Sequence, residues 1–259
     1  LVRNLNKVID LNFYPVPETA LSNFRSRPLG LGVQGFSDLL FKLGLPFESD
    51  ETKLVNRNLF EAIQYYCLKA SCKIAREREE ILVGKDLSLL MKDNIENPDV
   101  SFVEIEGHRF TYSELRLEKY KGAYMLFDGS PLSQGIFQWQ KYGVTDLFIG
   151  KEKWEALRHD IMKYGVRNSL LVALMPTAST SQILGNNECF EPITSNIYTR
   201  RTLAGDFVVL NKYLVRDLIR DGVWSRELKD LIIAENGSIA NLTFLPEQMR
   251  ELYKTVWEI

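Results

Sequence analysis

A short run of small and hydroxylated residues is the strongest candidate for chemistry in this sequence. It reads Pro176-Thr-Ala-Ser-Thr-Ser-Gln182 and follows residues 169–175, an apolar segment with the length of a buried strand. A short helix is predicted to begin after the run. Backbone N–H groups at a helix start have no acceptor within the helix and lie at the positive end of its dipole, so they bind anions without a lysine. The pattern predicts a phosphate site, and the alternative is an ordinary Ser/Thr-capped helix start.

A second motif, Gly30-Leu-Gly-Val-Gln-Gly35, matches the G-x-G-x-x-G pattern of dinucleotide-binding turns. Asp50 and Glu51 follow near the offset at which such proteins place an acid that binds the ribose. Ser49, however, is predicted to cap a helix, so no second strand precedes the two acids and the βαβ unit is not closed. The pattern favours a tight turn from strand to helix over a nicotinamide or flavin site.

The cysteines lack the arrangement of a redox or metal site. Cys67 and Cys72 lie on one predicted helix and point about 140° away from each other, so they cannot form a redox pair there. Cys189 lies close to the hydroxylated run, which allows a role as a nucleophile or a thiyl radical. A small packed residue is the simpler interpretation of Cys189.

The remaining reactive side chains are also interpreted as structural. Tyr65 and Tyr66 are adjacent in a predicted helix and therefore face different ways, which favours core packing over electron transfer. The two histidines, His108 and His159, lie in polar surroundings without the partners that a general base needs.

Composition limits the classes of partner. The 259 residues are 45% hydrophobic and 25% charged, as in a globular protein with a sizeable core. The 32 basic and 34 acidic side chains give a net charge of −2, without the basic excess that nucleic-acid binding requires. Apolar runs are far shorter than the roughly 18 to 20 residues that cross a bilayer. We expect neither nucleic acid nor a membrane as a partner, and a reducing, cytoplasmic setting for the three cysteines.

The elements that would position the hydroxylated run alternate between helix and strand. A helix is predicted at the start of the chain, and a long one begins after Ser49. Further helices are predicted at residues 36–43, 151–164, 211–220, 225–236 and 246–258, with Gly44 and Gly165 ending two of them. Short apolar strands are predicted at residues 29–33, 169–175 and 200–210. This alternation favours an α/β fold with buried parallel strands.

Residues 78–122 differ in character from the rest of the chain. They carry 7 basic and 10 acidic side chains, a turn at residues 94–98, and a possible hairpin around Gly107. They show no sustained apolar stripe. We therefore expect a surface insertion that buries little and that could be shortened at little cost in stability.

The hydroxylated run lies within a longer stretch that resembles the large (α) subunit of class I ribonucleotide reductase. That stretch reads MPTASTSQILGNNECFEP at residues 175–192 and TSNIYTRR at residues 194–201. Other segments resemble the same family, in its order: LNKVID at 5–10, YPVP at 14–17, RPLGLGVQG at 27–35, DGSP at 128–131, KYGVRNSLL at 163–171 and LYKTVWEI at 252–259. The resemblance covers nearly the whole chain except residues 78–122.

The resemblance implies a fold, a reaction and a site. The fold is a ten-stranded α/β barrel with surrounding helices, of which residues 1–259 would form a part. The reaction is the radical-based reduction of ribonucleoside diphosphates to deoxyribonucleoside diphosphates for DNA synthesis. In such enzymes this turn holds the substrate's diphosphate, a role that passes here to Pro176, Thr177, Ala178, Ser179 and Thr180. The G-x-G-x-x-G motif then becomes a turn of the barrel.

The resemblance also implies partners. These are a small subunit that supplies a radical from a metal cofactor, a second large subunit in a homodimer, and thioredoxin or glutaredoxin as the reductant. ATP and deoxynucleoside triphosphates would act as allosteric effectors, bound elsewhere in the full subunit.

The family's catalytic groups have no counterpart in this sequence. Its radical cysteine, redox cysteines and tyrosine relay would all lie outside residues 1–259, and none of Cys67, Cys72, Cys189, Tyr65 and Tyr66 occupies their positions. We therefore assign no catalytic residue, bound cofactor or metal to this chain and expect no turnover from it alone. Two alternatives stay open: a reductase-like protein that has lost catalysis and acts through protein contacts, and an independent phosphate-binding enzyme that uses Cys189.

Overall fold

The computed structural model describes residues 1–188 and 190–259, which form two compact units. Unit 1 consists of Leu1–Leu31 and Asn58–Ala173, and unit 2 of Gly32–Arg57 and Leu174–Ile259. Within the described residues, every helix falls short of the length and apolarity that a bilayer-spanning helix requires.

The described elements are mainly helical. The α-helices are α1 (Val2–Leu11), α2 (Pro17–Ser26), α3 (Phe36–Leu43), α4 (Asp50–Leu82), α5 (Tyr112–Leu115), α6 (Gln138–Lys141), α7 (Lys151–Tyr164), α8 (Ala178–Leu184), α9 (Lys212–Arg220), α10 (Arg226–Ala234) and α11 (Glu247–Leu252). Short 3₁₀ turns lie at Leu87–Leu89, Leu132–Gln134 and Val256–Glu258. The strands are β1 (Phe102–Ile105), β2 (His108–Thr111), β3 (Ile197–Thr202) and β4 (Gly205–Leu210).

Local signals place most helices where the sequence predicts them. The bounds of α3 and α7 match the prediction, and the glycines that end them, Gly44 and Gly165, have φ of +70° and +75°. The Ser49 hydroxyl accepts the Thr52 N–H at 3.1 Å and caps α4. The predicted helix at residues 246–258 is instead two pieces, α11 and the turn Val256–Glu258.

The strand predictions are confirmed only in part. Residues 200–210 are not one strand, because β3 and β4 pair as an antiparallel hairpin with Ile197 opposite Leu210. The two apolar segments around residues 31 and 172 do meet as parallel neighbours, but at the single bridge between Leu31 and Val172. Parallel strands are joined by long crossover connections, and this single bridge does not by itself make a parallel sheet. The sheets of the described residues are small and open, so they do not close a barrel by themselves.

The core of unit 1 surrounds Trp154, which is 0% exposed. The Tyr65 ring packs edge-on against it, with centroids 5.1 Å apart. The Glu61 carboxylate accepts the Trp154 indole N–H at 2.9 Å and two backbone N–H groups from Phe148 and Ile149, just before α7. These three donors satisfy a carboxylate that would otherwise be costly to bury.

A buried polar network anchors the start of the apolar segment 169–175 within unit 1. Arg27, 1% exposed, donates to both carboxylate oxygens of Asp10 at 2.8 and 2.9 Å and to Asn6. The Asn168 side chain donates to Asn6 and to the Arg27 carbonyl, each at 3.1 Å. The Asn168 backbone N–H donates to the Ser71 hydroxyl at 3.0 Å. The residue that precedes the apolar segment is therefore held from several directions.

Residues 78–122 contain the predicted hairpin but also a small core. β1 and β2 pair through a turn in which Glu106 and Gly107 have φ of +50° and +74°, the geometry of a type I′ turn. The expectation that the segment buries little is wrong, because four apolar side chains are buried together: Leu82, Ile105, Phe110 and Leu115. Four separate elements supply them, so no single stripe reveals the cluster. That the segment is an insertion into the family fold stays a prediction.

An ion-pair cluster fixes residues 78–122 to the rest of unit 1. Glu114, 1% exposed, forms a capping box with Thr111 and an ion pair with Arg167, and Arg78 lies 3.5 Å from its other oxygen. Burial by itself would raise the pKa of Glu114. The positive charges of Arg167, Arg78 and Arg27 outweigh burial and lower that pKa to about 2. The carboxylate is therefore ionised throughout the neutral range.

The core of unit 2 lies between α3, α9, α10 and α11. The Phe41 ring packs against Tyr213 and Tyr253, with centroids 5.7 and 5.1 Å away. Leu218 and Tyr253 are both 0% exposed. Burial, together with the hydrogen bond that its hydroxyl donates to Asp217, raises the pKa of Tyr253. This core supports the N-terminal turn of α3, which contacts the candidate site.

Candidate functional site

The hydroxylated run forms the start of α8 in unit 2. Thr177 precedes the helix with φ of +54° and ψ of +29°, and its carbonyl accepts the first intrahelical bond, from the Ser181 N–H at 2.9 Å. The helix therefore begins at Ala178, earlier than the sequence predicts. Ala178, Ser179 and Thr180 form its first turn, and all three are exposed.

This geometry leaves three backbone amides at the positive end of a helix. Residues 178–180 precede the first intrahelical bond, so their N–H groups have no acceptor four residues earlier in the helix. The aligned peptide dipoles place about half a positive charge at this end. The left-handed conformation of Thr177 is uncommon for a β-branched residue and costs on the order of 1–3 kcal/mol. The arrangement can bind an anion through the backbone.

The structure brings the second half of the glycine motif to α8. The Thr180 hydroxyl donates to the Gln34 side-chain oxygen at 2.9 Å. The Gly35 N–H donates to the Asn187 carbonyl at 3.1 Å, in the loop that follows α8. Gly35 has φ of +72°, and a Cβ added there would lie 3.1 Å from the Asn186 side chain. Gln34 and Gly35 thus lie in a turn that packs against α8 and the loop after it.

Asp38, which no local sequence pattern marks as a site residue, holds the loop after α8. Its carboxylate accepts the Asn187 N–H at 2.7 Å, while the neighbouring Ser37 hydroxyl donates to the Glu191 carbonyl at 2.7 Å. Burial, and then the charge and hydrogen bond of Asp38, raise the pKa of the Tyr213 hydroxyl. An acid in the first turn of α3 gives no sequence signal of this role, because such acids are common at helix starts.

A cleft of about 470 Å³ lies beside the C-terminal end of α8 within unit 2. Its basic side chains are engaged by neighbouring groups. Lys212 donates to the Gly185 carbonyl. Arg200 lies 3.7 Å from Glu188 and over the ring of Tyr198. These contacts tie the β3–β4 hairpin and α9 to the end of α8, so the cations in the cleft stabilise the fold around the helix.

Cys67, Cys72, Tyr65 and Tyr66 all belong to α4, in unit 1. Cys67 and Cys72 are buried free thiols on α4. Burial raises the pKa of both and brings that of Cys72 to about 12, which disfavours the reactive thiolate. Tyr65 is 5% exposed and Tyr66 57% exposed, so the adjacent rings face different ways, as expected. Cys189 lies outside the described residues.

Both histidines belong to unit 1. His108 is on β2, where burial first and then the charge of Arg78 lower its pKa. His159 is exposed on α7, 3.9 Å from Asp160. Across residues 1–188 and 190–259, no three or more His, Cys, Asp and Glu side chains are grouped so that they could hold a metal ion.

The sequence matches a known family over its whole length. Residues 1–259 match the family described as "Ribonucleotide reductase, barrel domain". The chain is 47% identical over 259 residues to a protein of Neurospora crassa named "Ribonucleoside-diphosphate reductase large chain", covering 100% of this chain and 23% of that protein. It is 45% identical over 258 residues to the "Ribonucleoside-diphosphate reductase large subunit" of Arabidopsis thaliana, covering 99% and 26%.

A third relative is covered to a similar extent. The protein of Caenorhabditis elegans with the name "Ribonucleoside-diphosphate reductase large subunit" is 42% identical over 259 residues, which are 100% of this chain and 27% of that protein. The chain thus spans about a quarter of the length of the curated relatives it matches.

Proposed function

The chain belongs to the ribonucleotide reductase family through its barrel domain, and we propose that it is the part of a ribonucleoside-diphosphate reductase large subunit that holds the substrate's diphosphate. The reaction is the radical-based reduction of ribonucleoside diphosphates to deoxyribonucleoside diphosphates, which supplies DNA synthesis. The names of the relatives support the reaction. The observation that carries the site is the exposed first turn of α8, with three backbone amides at its positive end.

In this proposal the chain binds and orients the substrate. The amides of Ala178, Ser179 and Thr180 donate to diphosphate oxygens, and the helix dipole adds attraction without any basic side chain. Gln34 holds the Thr180 hydroxyl, which fixes one side of the turn. Pro176 and Thr177 set the direction in which the chain enters the helix. Charge-assisted bonds to backbone amides are stronger than neutral ones, so three of them provide substantial affinity.

The chemistry at the ribose would come from outside residues 1–259. The rest of the large subunit would supply the radical cysteine and reducing thiols, and a small metal-containing subunit would supply the radical. We therefore propose that residues 1–259 bind no cofactor and have no turnover alone. A large-subunit homodimer, thioredoxin or glutaredoxin as the reductant, and allosteric ATP or deoxynucleoside triphosphates complete the proposal, in the cytoplasm.

The proposed architecture is a ten-stranded α/β barrel with surrounding helices, to which residues 1–259 contribute a part. The parallel contact between Leu31 and Val172 supports it, because parallel neighbours are the pairing that such a barrel requires. The Leu29 N–H and Leu31 N–H donate to the Leu170 and Leu171 carbonyls, each at 2.9 Å, and extend this contact.

The alternative of a reductase-like protein that acts only through protein contacts is not favoured. The relatives are named as reductases, and a purely structural protein has no need for an exposed anion site. Cys189 lies outside the described residues, so the alternative of an independent enzyme that uses it as a nucleophile stays a prediction.

The site can be tested in the full-length large subunit by calorimetry with CDP. Ala178→Pro deletes one amide and restricts the conformation of Thr177. We expect it to weaken CDP binding about ten-fold or more, equivalent to roughly 1.4 kcal/mol. Thr177→Ser keeps every amide and serves as the matched control, with near-normal affinity. Equal affinity of the two variants would remove the first turn of α8 from the binding site.

A further inference from the structure

We propose that Asp38 is a positioning residue for the diphosphate site: its carboxylate holds the loop after α8 and so fixes the direction in which the first-turn amides of α8 point. This inference rests on the function proposed above for α8. Asp38 acts through Asn187, in the loop after α8, and is not a catalytic residue.

The Asn187 peptide is held on both sides by the N-terminal turn of α3. Its N–H donates to the Asp38 carboxylate at 2.7 Å, and its carbonyl accepts the Gly35 N–H at 3.1 Å. A short bond from a backbone amide to a carboxylate is charge-assisted and stronger than a neutral amide bond. Asp38 therefore supplies the strongest link between α3 and the loop.

Two further hydrogen bonds hold the same loop. The Asn187 side chain and the Ser37 hydroxyl both donate to the Glu191 carbonyl, at 2.9 and 2.7 Å. The first of these bonds closes the loop on itself, and the second ties its far end to α3. Burial first, and then the charge of the Asp38 carboxylate, raise the pKa of the Tyr213 hydroxyl, on α9. The carboxylate thus holds the loop by a hydrogen bond and lies near α9, all within unit 2.

α8 cannot fix its own orientation. It has seven residues, and Ser181 is its buried residue. A helix of this length is unstable alone and depends on contacts at its ends. The Thr180 hydroxyl bonds to Gln34 at the N-terminal end, and the Asn186 N–H bonds to the Ser181 carbonyl at the C-terminal end. Because Asn186 directly precedes Asn187, releasing Asn187 loosens the second of these ends.

Steady-state kinetics of the full-length large subunit with its small subunit test the inference, at a fixed effector concentration and with CDP as the varied substrate. Asp38→Ala removes the acceptor, whereas Asp38→Asn keeps the size and one acceptor oxygen but loses the charge. Asp230→Asn, an exposed aspartate on α10 in the same unit, is the matched control. Melting temperatures of all variants are measured alongside.

We expect Asp38→Ala to raise the KM for CDP about ten-fold or more while kcat stays within about three-fold, because binding is lost and the chemistry is not. Asp38→Asn should raise KM by a smaller factor, and Asp230→Asn should match the wild type. A purely structural role would lower the melting temperature of Asp38→Asn and leave its KM unchanged, which would overturn the inference. An effect on kcat alone would overturn it too.

The Ala178→Pro variant separates this inference from the function on which it rests. If Ala178→Pro raises KM and the Asp38 variants do not, the diphosphate site stands and the role of Asp38 is refuted. If Ala178→Pro also leaves KM unchanged, the site itself is refuted. Should Asp38→Ala fail to fold, the KM of Asp38→Asn decides the question.

Discussion

Replacing Glu114 by glutamine should destabilise the chain by roughly 3–5 kcal/mol, the usual cost of removing one partner from a buried ion pair. The substitution keeps the size of the side chain and removes its charge. The Glu114, Arg167 and Arg78 side chains are 2%, 1% and 3% exposed, so water does not replace the lost anion. Two guanidinium groups would then share a buried site without a carboxylate.

The pKa of Glu114 gives an independent value for the contribution of its charge to the free energy of unfolding. A pKa lowered from 4.5 to about 2 corresponds to roughly 3 kcal/mol at neutral pH. Because the folded pKa is depressed, this stabilisation is complete above the unfolded value of 4.5 and is lost as the pH falls toward about 2. At 2–4 °C per kcal/mol for a chain of this size, Glu114→Gln should lower Tm by about 6–20 °C at pH 7.

Urea and thermal unfolding of the chain at pH 7 and pH 3 measure both effects. Glu118→Gln is the matched control, because Glu118 is exposed in the same segment. The stability gap between the two variants should be large at pH 7 and clearly smaller at pH 3. Equal stability at pH 7, or a gap that does not change with pH, would refute the reasoning. Because residues 80–121 include Glu114, deleting them should also destabilise the chain.

Two further predictions concern the proposed site and the inactivity of residues 1–259 alone. Ser179→Asp should leave Tm unchanged or raise it, because an acid stabilises a helix start by about 0.3–1 kcal/mol, yet it should weaken CDP binding to the full-length subunit about ten-fold through charge repulsion. Residues 1–259 alone, mixed with the small subunit and a dithiol, should form no deoxynucleotide by product chromatography. Product that disappears in Cys189→Ser would show that Cys189 is catalytic.

Local signals explain why the helices could be predicted. Gly44 and Gly165 end α3 and α7 at positive φ, and Ser49 caps α4 through its own hydroxyl. Each signal acts within a few residues of the chain. The sequence predicts a later start for α8 than the structure shows, because Ser179 and Thr180 are as common in turns as in helices.

The features that could not be predicted depend on residues far apart in sequence. Segment 169–175 pairs with residues around Leu31, and β3 and β4 form a hairpin where one strand is predicted. Asp38 bonds to a backbone group 149 residues away, so no local pattern reveals it. The exposed first turn of α8 could be found from the sequence because its chemistry lies in consecutive residues. The contact by which Asp38 holds the loop after α8 could not be found in this way.

The central claim is that the first turn of α8 holds the substrate's diphosphate. The most direct measurement is a crystal structure of the full-length large subunit with CDP bound. We predict diphosphate oxygens about 2.7–3.2 Å from the backbone nitrogens of Ala178, Ser179 and Thr180. A diphosphate bound elsewhere in the subunit, with these amides facing solvent, would contradict it.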